Sequence, residues 1–177
     1  PFPDRSFDVI FSSSVLEHIV DVTEFHGEMR RVLKSDGLAV HIVPTHVWRL
    51  WTALAHYPAL PKTILSALRS NPTGGEQAAP GAQRRLRSKM GAVLFPPRHG
   101  ERGNAISEIF AFRPGRWVEQ FEGNGWRVER AVPTGLFQTG YCLFGTGLSV
   151  PVRAALAKVF GSACRTFLLS PRGETGP

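Results

Sequence analysis

The sequence predicts an α/β chain of the doubly wound class, and three observations carry that expectation. Phe7-Asp8-Val9-Ile10-Phe11 is an apolar run, rich in β-branched and aromatic residues, with the length of a buried parallel strand. Ser12, Ser13 and Ser14 break it, and a helical pattern follows at once, with Val15, Leu16 and Ile19 on one face and Glu17 and His18 off it. The alternation then repeats, with a helical pattern over Val22 to Leu33 and a second apolar strand over Leu38 to Val43. Small polar residues between a buried strand and a helix sit at the carboxyl edge of a sheet, which is where doubly wound folds bind ligands. Backbone N–H groups at the new helix start are unpaired there, and serine hydroxyls can cap them or hold a polar ligand.

Taken in order, Pro1-Phe2-Pro3-Asp4-Arg5-Ser6 is a turn feeding the first strand. The helix after it places Val22, Phe25, Met29, Val32 and Leu33 at three- and four-residue spacing. Asp21 or Thr23 can cap its start, and Glu24 suits its first turn. Arg30, Arg31 and Lys34 suit the exposed carbonyls at its end. Ser35-Asp36-Gly37 is read as its stop, with Gly37 able to take positive φ, and Pro44 stops the strand that follows. His46 to Tyr57 reads as a helix of aromatic bulk, interrupted by Pro58 and Pro61, with Thr63 to Leu68 as another short turn or two. Asn71 to Gln83 is rich in Gly, Pro, Ala and polar residues and reads as a mobile loop.

Arg113-Pro114-Gly115 leads into a helix through Trp117, Val118 and Phe121, with Pro114 in the first turn and Gly123-Asn124-Gly125 as the stop. Trp126 to Val132 alternates like a half-exposed strand, and Leu136 to Phe144 is expected to pair with it. Pro151 to Leu169 reads as a terminal amphipathic helix weakened near its middle by Gly161, and the tail from Ser170 as frayed.

A chain of 177 residues buries one core and is one domain, with room for a subdomain. Hydrophobic content of 42% and charged content of 20% are ordinary for a globular protein. No run approaches the roughly 18 apolar residues of a membrane span. No signal peptide is visible, and a cytoplasmic location is expected; the first residue is proline, so the true N-terminus is expected upstream. Cys142 and Cys164 are isolated, lack metal-ligand spacing and read as buried reduced thiols. The net charge of +7 is concentrated in Arg84, Arg85, Arg87 and Lys89, with Arg98 and Arg102 beyond. Such a run suits nucleic acid, anionic lipid or a phosphorylated substrate. It lacks the interleaved aromatic residues of a stacking surface, which disfavours nucleic acid, and a solvated basic loop is the plain reading.

The stretches PFPDRSFDVIFSSSVLEHIVD and RVLKSDGLAVHIVPT, in this order and spacing, resemble the fourth strand and then the next turn and fifth strand of class I S-adenosylmethionine-dependent methyltransferases, in particular the small-molecule methyltransferase family. The resemblance implies part of a doubly wound, Rossmann-like sheet that ends in an antiparallel strand pair, with S-adenosyl-L-methionine as cofactor and methyl transfer as the activity. It says little about the acceptor. That family usually carries a proline and two glycines where this chain has Ser35-Asp36-Gly37, a mild departure. The pattern lapses from Thr45 to about Phe112, leaving an insertion of a length that usually marks a functional lid or a linker. The expected organisation is a single partial domain over 1–177: residues 1–45 from strand four to strand five, 46–112 an insertion or lid, 113–148 a helix and antiparallel pair, and 149–177 a C-terminal helix and tail.

By the same resemblance Ser12, Ser13 and Ser14 line the methionine end of the cofactor, Ser13 foremost, with Glu17 on the same side. Simple helix capping is the alternative for Ser12 and Ser14. Methyl transfer is a direct displacement, so a base is needed only when the acceptor must lose a proton. His18 one helical step on, His46 beyond the carboxyl end of the second strand, and His99 in the insertion are the catalytic candidates on the acceptor side. Glu101 and Glu108 flank His99 and are candidates to orient its ring; each histidine also reads as an exposed polar residue. Trp48, Trp51 and Tyr57 can wall an apolar pocket or pack as core. Some relatives bind a metal here through a Glu-x-x-Glu-His arrangement; Ser14 stands at the first acidic position, so the set is incomplete and no metal is expected.

The glycine-rich loop and ribose-binding acid that hold the cofactor in this fold do not occur in the chain; Gly123-Asn124-Gly125 and Gly145-Thr146-Gly147 are wrongly placed to replace them. The chain therefore reads as the C-terminal part of a methyltransferase, inactive alone and short of a neighbour on the inner flank of Phe7 to Phe11. The basic insertion and aromatic helix suit an anionic or lipid-linked acceptor, such as a glycan or glycolipid intermediate, and are compatible with peripheral membrane contact. The rival from another class is a non-catalytic module whose basic insertion binds nucleic acid or anionic membrane.

Overall fold

The computed structural model describes residues 2–69, 96–101, 103–139 and 147–173, with the backbone alone over 62–69. Among the described residues four strands, β1 (Phe7–Ser13), β2 (Leu33–Pro44), β3 (Trp126–Pro133) and β4 (Cys164–Pro171), form one sheet in the order β1-β2-β4-β3. β1 and β2 are parallel, and β4 runs antiparallel to both β2 and β3. The helices among the described residues are α1 (Val22–Val32), α2 (His46–Arg69), α3 (Ala105–Ala111), α4 (Pro114–Gly123) and α5 (Val150–Phe160), with a 3-10 turn at Leu16–His18. The fold is the expected α/β sheet with a parallel pair followed by a terminal antiparallel pair.

Local chemistry accounts for most element ends. Asp21 caps α1, its carboxylate accepting from the Glu24 amide at 2.9 Å. Pro114 opens α4 at a position whose N–H has no helical partner in any case. Among the described residues β1 has a single neighbour, and Val9 and Phe11 are 57% and 64% exposed. Its unbroken apolar run predicted neighbours on both flanks.

Several expectations are corrected. β2 starts at Leu33, straight from α1, so Ser35-Asp36-Gly37 lies within the strand rather than in a turn. Gly37 does not use positive φ. It is needed for space, because a Cβ there would lie 2.8 Å from the Leu33 side chain and 3.0 Å from the Asp8 carbonyl. α2 continues through Pro58 and Pro61, where the sequence predicted a break. An interior proline costs a helix about 3 kcal/mol; α2 is anchored in its N-terminal part, where Arg49 pairs with Glu108 and Trp51 donates to the Phe160 carbonyl.

The largest correction concerns the C-terminal region. Gly161, at φ +86°, ends α5 instead of weakening a longer helix, and a Cβ on it would meet Val47 at 2.9 Å. The chain turns there, and Cys164–Pro171 is a strand rather than the second half of that helix. β4, not Leu136 to Phe144, is the partner of β3, with Ala131 opposite Phe167. Leu136 to Thr139 has no regular structure, and 140–144 lies outside the described residues. The two-residue alternation of Phe167 and Leu169, both wholly buried, is the strand signal that the helical reading passed over.

The core lies between the sheet and helices α1 and α4, built on Leu33, Val43, Trp117, Phe121, Trp126 and Phe167. The Trp117 indole donates to the Pro44 carbonyl at 3.1 Å. Two fully buried histidines, His26 and His41, flank Phe121 with ring centroids 5.8 Å from it.

Candidate functional site

Because β1 and β2 are parallel, their carboxyl ends share one edge of the sheet, and the chain leaves that edge in a tight turn. Ser14 takes a left-handed φ of 52°, a conformation that costs a non-glycine residue about 1 kcal/mol or more, and its amide donates to the Ile42 carbonyl at 2.9 Å. Leu16 is then buried in the core, which fixes the 3-10 turn and sends the Glu17 side chain inward.

A cavity of about 510 Å³ opens at this edge. Ser14, Glu17 and His18 form one side of it, and Trp48, Arg49, Thr52 and His56 of α2 another. Pro96 to His99, Pro44, Gln138 and Cys164 complete the lining. The Glu17 side chain has no exposed surface, and neither of its carboxylate oxygens has a hydrogen-bond partner. Burial holds its carboxyl above the ordinary carboxylate range, against the opposing pull of its own backbone N–H dipole and of His18. His99 Nε2 stands 3.7 Å from Glu17 Oε1. The His99 ring meets His18 edge-on at 4.9 Å and Trp48 at 4.5 Å between centroids. Burial, then the neighbouring His18, lowers the His99 pKa and favours neutral imidazole.

His99 is held there by a buried ion pair. Arg49 Nε lies 2.7 Å from Glu108 Oε2, with both side chains 2% exposed. Arg49 also donates to the Pro97 carbonyl at 2.7 Å. The other oxygen of Glu108 accepts from the His99 and Gly100 amides, each at 2.7 Å. The Glu101 amide donates to the Glu17 carbonyl at 3.2 Å, so residues 97–101 lie as a strap across the Glu17 turn. Gly100 is required by this approach, since a Cβ would sit 2.8 Å from the Glu17 carbonyl oxygen. Gly100→Ala is expected to push the strap away and to cost about 1–3 kcal/mol through overpacking. Urea unfolding and hydrogen exchange at the Glu101 amide check this; unchanged stability with unchanged protection would contradict it.

Of the residues singled out in the sequence, Ser14, Glu17, His18 and His99 meet at the cavity, whereas Ser12, Ser13 and His46 are outside its lining. Ser12 turns toward the sheet, its hydroxyl 2.7 Å from His41 Nδ1. Ser13 is exposed at the end of β1. His46 begins α2 beside Arg113 and Arg165, and burial followed by those charges lowers its pKa. Trp48 walls the cavity, while Trp51 belongs to a separate apolar groove and donates to the Phe160 carbonyl at 3.1 Å. Sequence reasoning missed Arg49 and Thr52, read Cys164 only as a buried thiol, and saw Glu108 only as a neighbour of His99. An arginine inside an apolar helix and a glutamate inside the apolar run of α3 were the available signal, because buried charges are paired. Burial, with a contribution from Glu17, pushes the Cys164 thiol up to about 11, so it is neutral at pH 7 and a poor nucleophile. The basic run Arg84 to Lys89 and the Asn71 to Gln83 segment lie outside the described residues. No helix among the described residues is long and apolar enough to cross a membrane.

Residues 1–41, from the turn before β1 through most of β2, match the family model described as a methyltransferase domain. Solved structures are similar over nearly the whole chain at low identity. An S-adenosylmethionine-dependent methyltransferase from Mesorhizobium loti is 11% identical, with 96% of this chain and 63% of that one covered and a TM-score of 0.47. A chain from the Haloferax volcanii complex between the Trm112 methyltransferase activator and a methyltransferase is 12% identical, with 100% and 59% covered and a TM-score of 0.49. PKMT2 from Rickettsia typhi in complex with AdoHcy is 12% identical, with 97% and 37% covered and a TM-score of 0.44. The chain thus spans less than two thirds of the length of each of these proteins. Among curated proteins, none matches it in sequence. The segment that builds β1, the turn carrying Ser14, Glu17 and His18, and most of β2 is the part of the chain that matches the methyltransferase-domain model.

Proposed function

We propose that this chain lines the methionine edge of S-adenosylmethionine and the acceptor pocket of a methyltransferase. One observation carries the reading: the segment that matches a methyltransferase domain delivers Ser14, Glu17 and His18 into the cavity at the carboxyl edge of the parallel strands. S-adenosylmethionine, when bound, supplies an electrophilic methyl group on a sulfonium. Glu17 suits such a ligand, because a buried carboxylate with both oxygens unpaired gains from a cationic neighbour. Ser14 offers a hydroxyl at the same wall. The fit extends to that edge only, since the glycine-rich loop and ribose-binding acid are not among the chain's residues.

On the acceptor side Trp48, Thr52 and the strap line the cavity, and the segment 46–112 to which they belong serves as the lid. The displacement asks chiefly for alignment, which a strap clamped at both carboxylate oxygens of Glu108 supplies. His99 or His18 takes the proton when the acceptor is a hydroxyl. The aromatic wall, with basic Arg98 beside it, suits an anionic or lipid-linked acceptor.

The test uses the protein expressed from the whole reading frame that contains this chain. Cofactor affinity is read by calorimetry, and turnover by transfer of labelled methyl to a small-molecule extract. Ser14→Ala and Glu17→Gln are expected to weaken cofactor binding, and His18→Ala and His99→Ala to slow turnover with affinity retained. Absence of S-adenosylmethionine binding, or four variants that lose only thermal stability, would overturn the reading.

A further inference from the structure

The Glu17 turn presents more than a cofactor wall. Glu17 and His18 are adjacent in the 3-10 turn, and the strap brings His99 onto them from more than 80 residues away in the chain. One ligand-capable atom from each of the three lies within 4.8 Å of the others. The Glu17 side chain is wholly buried, yet both its oxygens lack a hydrogen-bond donor, and the nearest basic atom, His99 Nε2, is at 3.7 Å, beyond hydrogen-bond distance. A carboxylate left so is costly unless a cation or a proton meets it. The guanidinium of Arg49 does not, because it is committed to Glu108 and the Pro97 carbonyl.

We propose that Glu17, His18 and His99 form a binding site for a divalent transition-metal ion of the zinc class, with an open coordination position facing the cavity. Two imidazoles and one carboxylate are the donor set of three-ligand sites for zinc and its first-row neighbours, whereas calcium and magnesium prefer oxygen throughout. Ligand bonds of about 2.0–2.2 Å place neighbouring donor atoms a little over 3 Å apart. The separations here therefore need to close by about an ångström, a shift that the half-exposed His99 side chain can make. The absence of an acidic residue at position 14, which led the sequence reading to expect no metal, loses its force because His99 stands as the third ligand. The Glu108 carboxylate accepts from the His99 and Gly100 amides and so fixes the backbone that carries the His99 ring. The inference concerns these side chains alone and does not depend on methyl transfer.

The probe is Zn2+, followed by Co2+ for its visible ligand-field absorption, added to the metal-stripped protein without S-adenosylmethionine or acceptor. One Zn2+ per chain is expected, with a raised unfolding temperature and a Co2+ spectrum of a nitrogen–oxygen site. His18→Asn and His99→Asn, on side chains that are not fully buried, should each weaken Zn2+ binding by at least about tenfold, and the double variant should remove it together with the Co2+ bands. Glu17→Gln should do the same if it folds. No stoichiometric Zn2+ binding, or binding that survives the His18→Asn/His99→Asn double variant, overturns the proposal. Since metal is read directly, these outcomes are independent of whether the protein transfers methyl groups.

Discussion

Glu108→Ala is expected to destabilise the protein by about 3–5 kcal/mol and to abolish the proposed methyl transfer, because it leaves the Arg49 guanidinium buried and unpaired. Arg49 and Glu108 are each only 2% exposed, and their 2.7 Å contact is the reason that both charges can be buried at all. The same substitution removes the acceptor for the His99 and Gly100 amides, so the strap loses its anchor as well as the pair its partner. Urea unfolding and methyl-transfer rates on one set of variants separate the two effects. A double apolar replacement, Arg49→Met with Glu108→Leu, should recover much of the stability, since well-packed apolar groups often replace a buried pair at little cost. It should not recover turnover, because the Pro97 carbonyl and two backbone amides still lack partners. Glu108→Gln keeps an acceptor for the amides and is expected to retain more turnover than the alanine variant. A loss below about 1 kcal/mol in Glu108→Ala, the size of an exposed pair, would show that the pair does not hold the strap.

What could be read from the sequence was what local periodicity encodes. Phe7 to Phe11 is a strand, Val22 to Val32 a helix with Asp21 at its cap, and Pro114 opens α4, each through a rule that acts within a few residues. The errors fell where a distant contact decides. Gly161 is a helix stop because Val47, from another element, leaves no room for a side chain and because the chain must turn there to lay β4 against β2. Cys164–Pro171 alternates apolar residues over too short a span to outweigh the helical pattern that precedes it. The candidate site divides in the same way. Ser14, Glu17 and His18 were visible as a strand-to-helix junction, whereas the position of His99 depends on Arg49 and Glu108, whose pairing spans 59 residues and has no local signature. Ser12 differs from its neighbours in a way the run of three serines does not reveal: alternation along β1 turns its hydroxyl to His41, the face opposite that of Ser13.

His41 and its neighbour His26 set the second large effect, a loss of stability as pH falls through the range below 6.5. Both are wholly buried, and burial lowers each pKa from 6.5 to about 4, helped by Arg30 for His26 and by His26 for His41. His26 Nδ1 accepts from the Trp126 indole at 3.1 Å, so it must be unprotonated in the fold, and the Nε2 atoms of both rings are buried without a hydrogen-bond partner. The sign follows from proton counting. Between pH 6.5 and 4 the unfolded chain carries protons on these histidines that the folded chain does not, so stability is full above 6.5 and falls as pH drops toward 4. His46 and His99, whose pKa values are also lowered, act in the same direction. Glu17, whose pKa is raised, acts in the opposite one, since the folded state holds its proton to higher pH, but it offsets one group among several. At about 1.4 kcal/mol per pH unit for each proton, the two core histidines together account for a loss on the order of 5 kcal/mol across the window. A domain of typical stability, about 5–15 kcal/mol, loses a third or more of it that way. The expected result is a urea midpoint that declines steadily from pH 7 to pH 4.5, with near-UV signals of Trp126 lost in the same transition. Calorimetric unfolding near pH 5 in two buffers of different ionisation enthalpy should show uptake of about two protons per chain. A midpoint that stays level across this range, or unfolding without proton uptake, would mean that the buried pair is already charged or is free to leave the core.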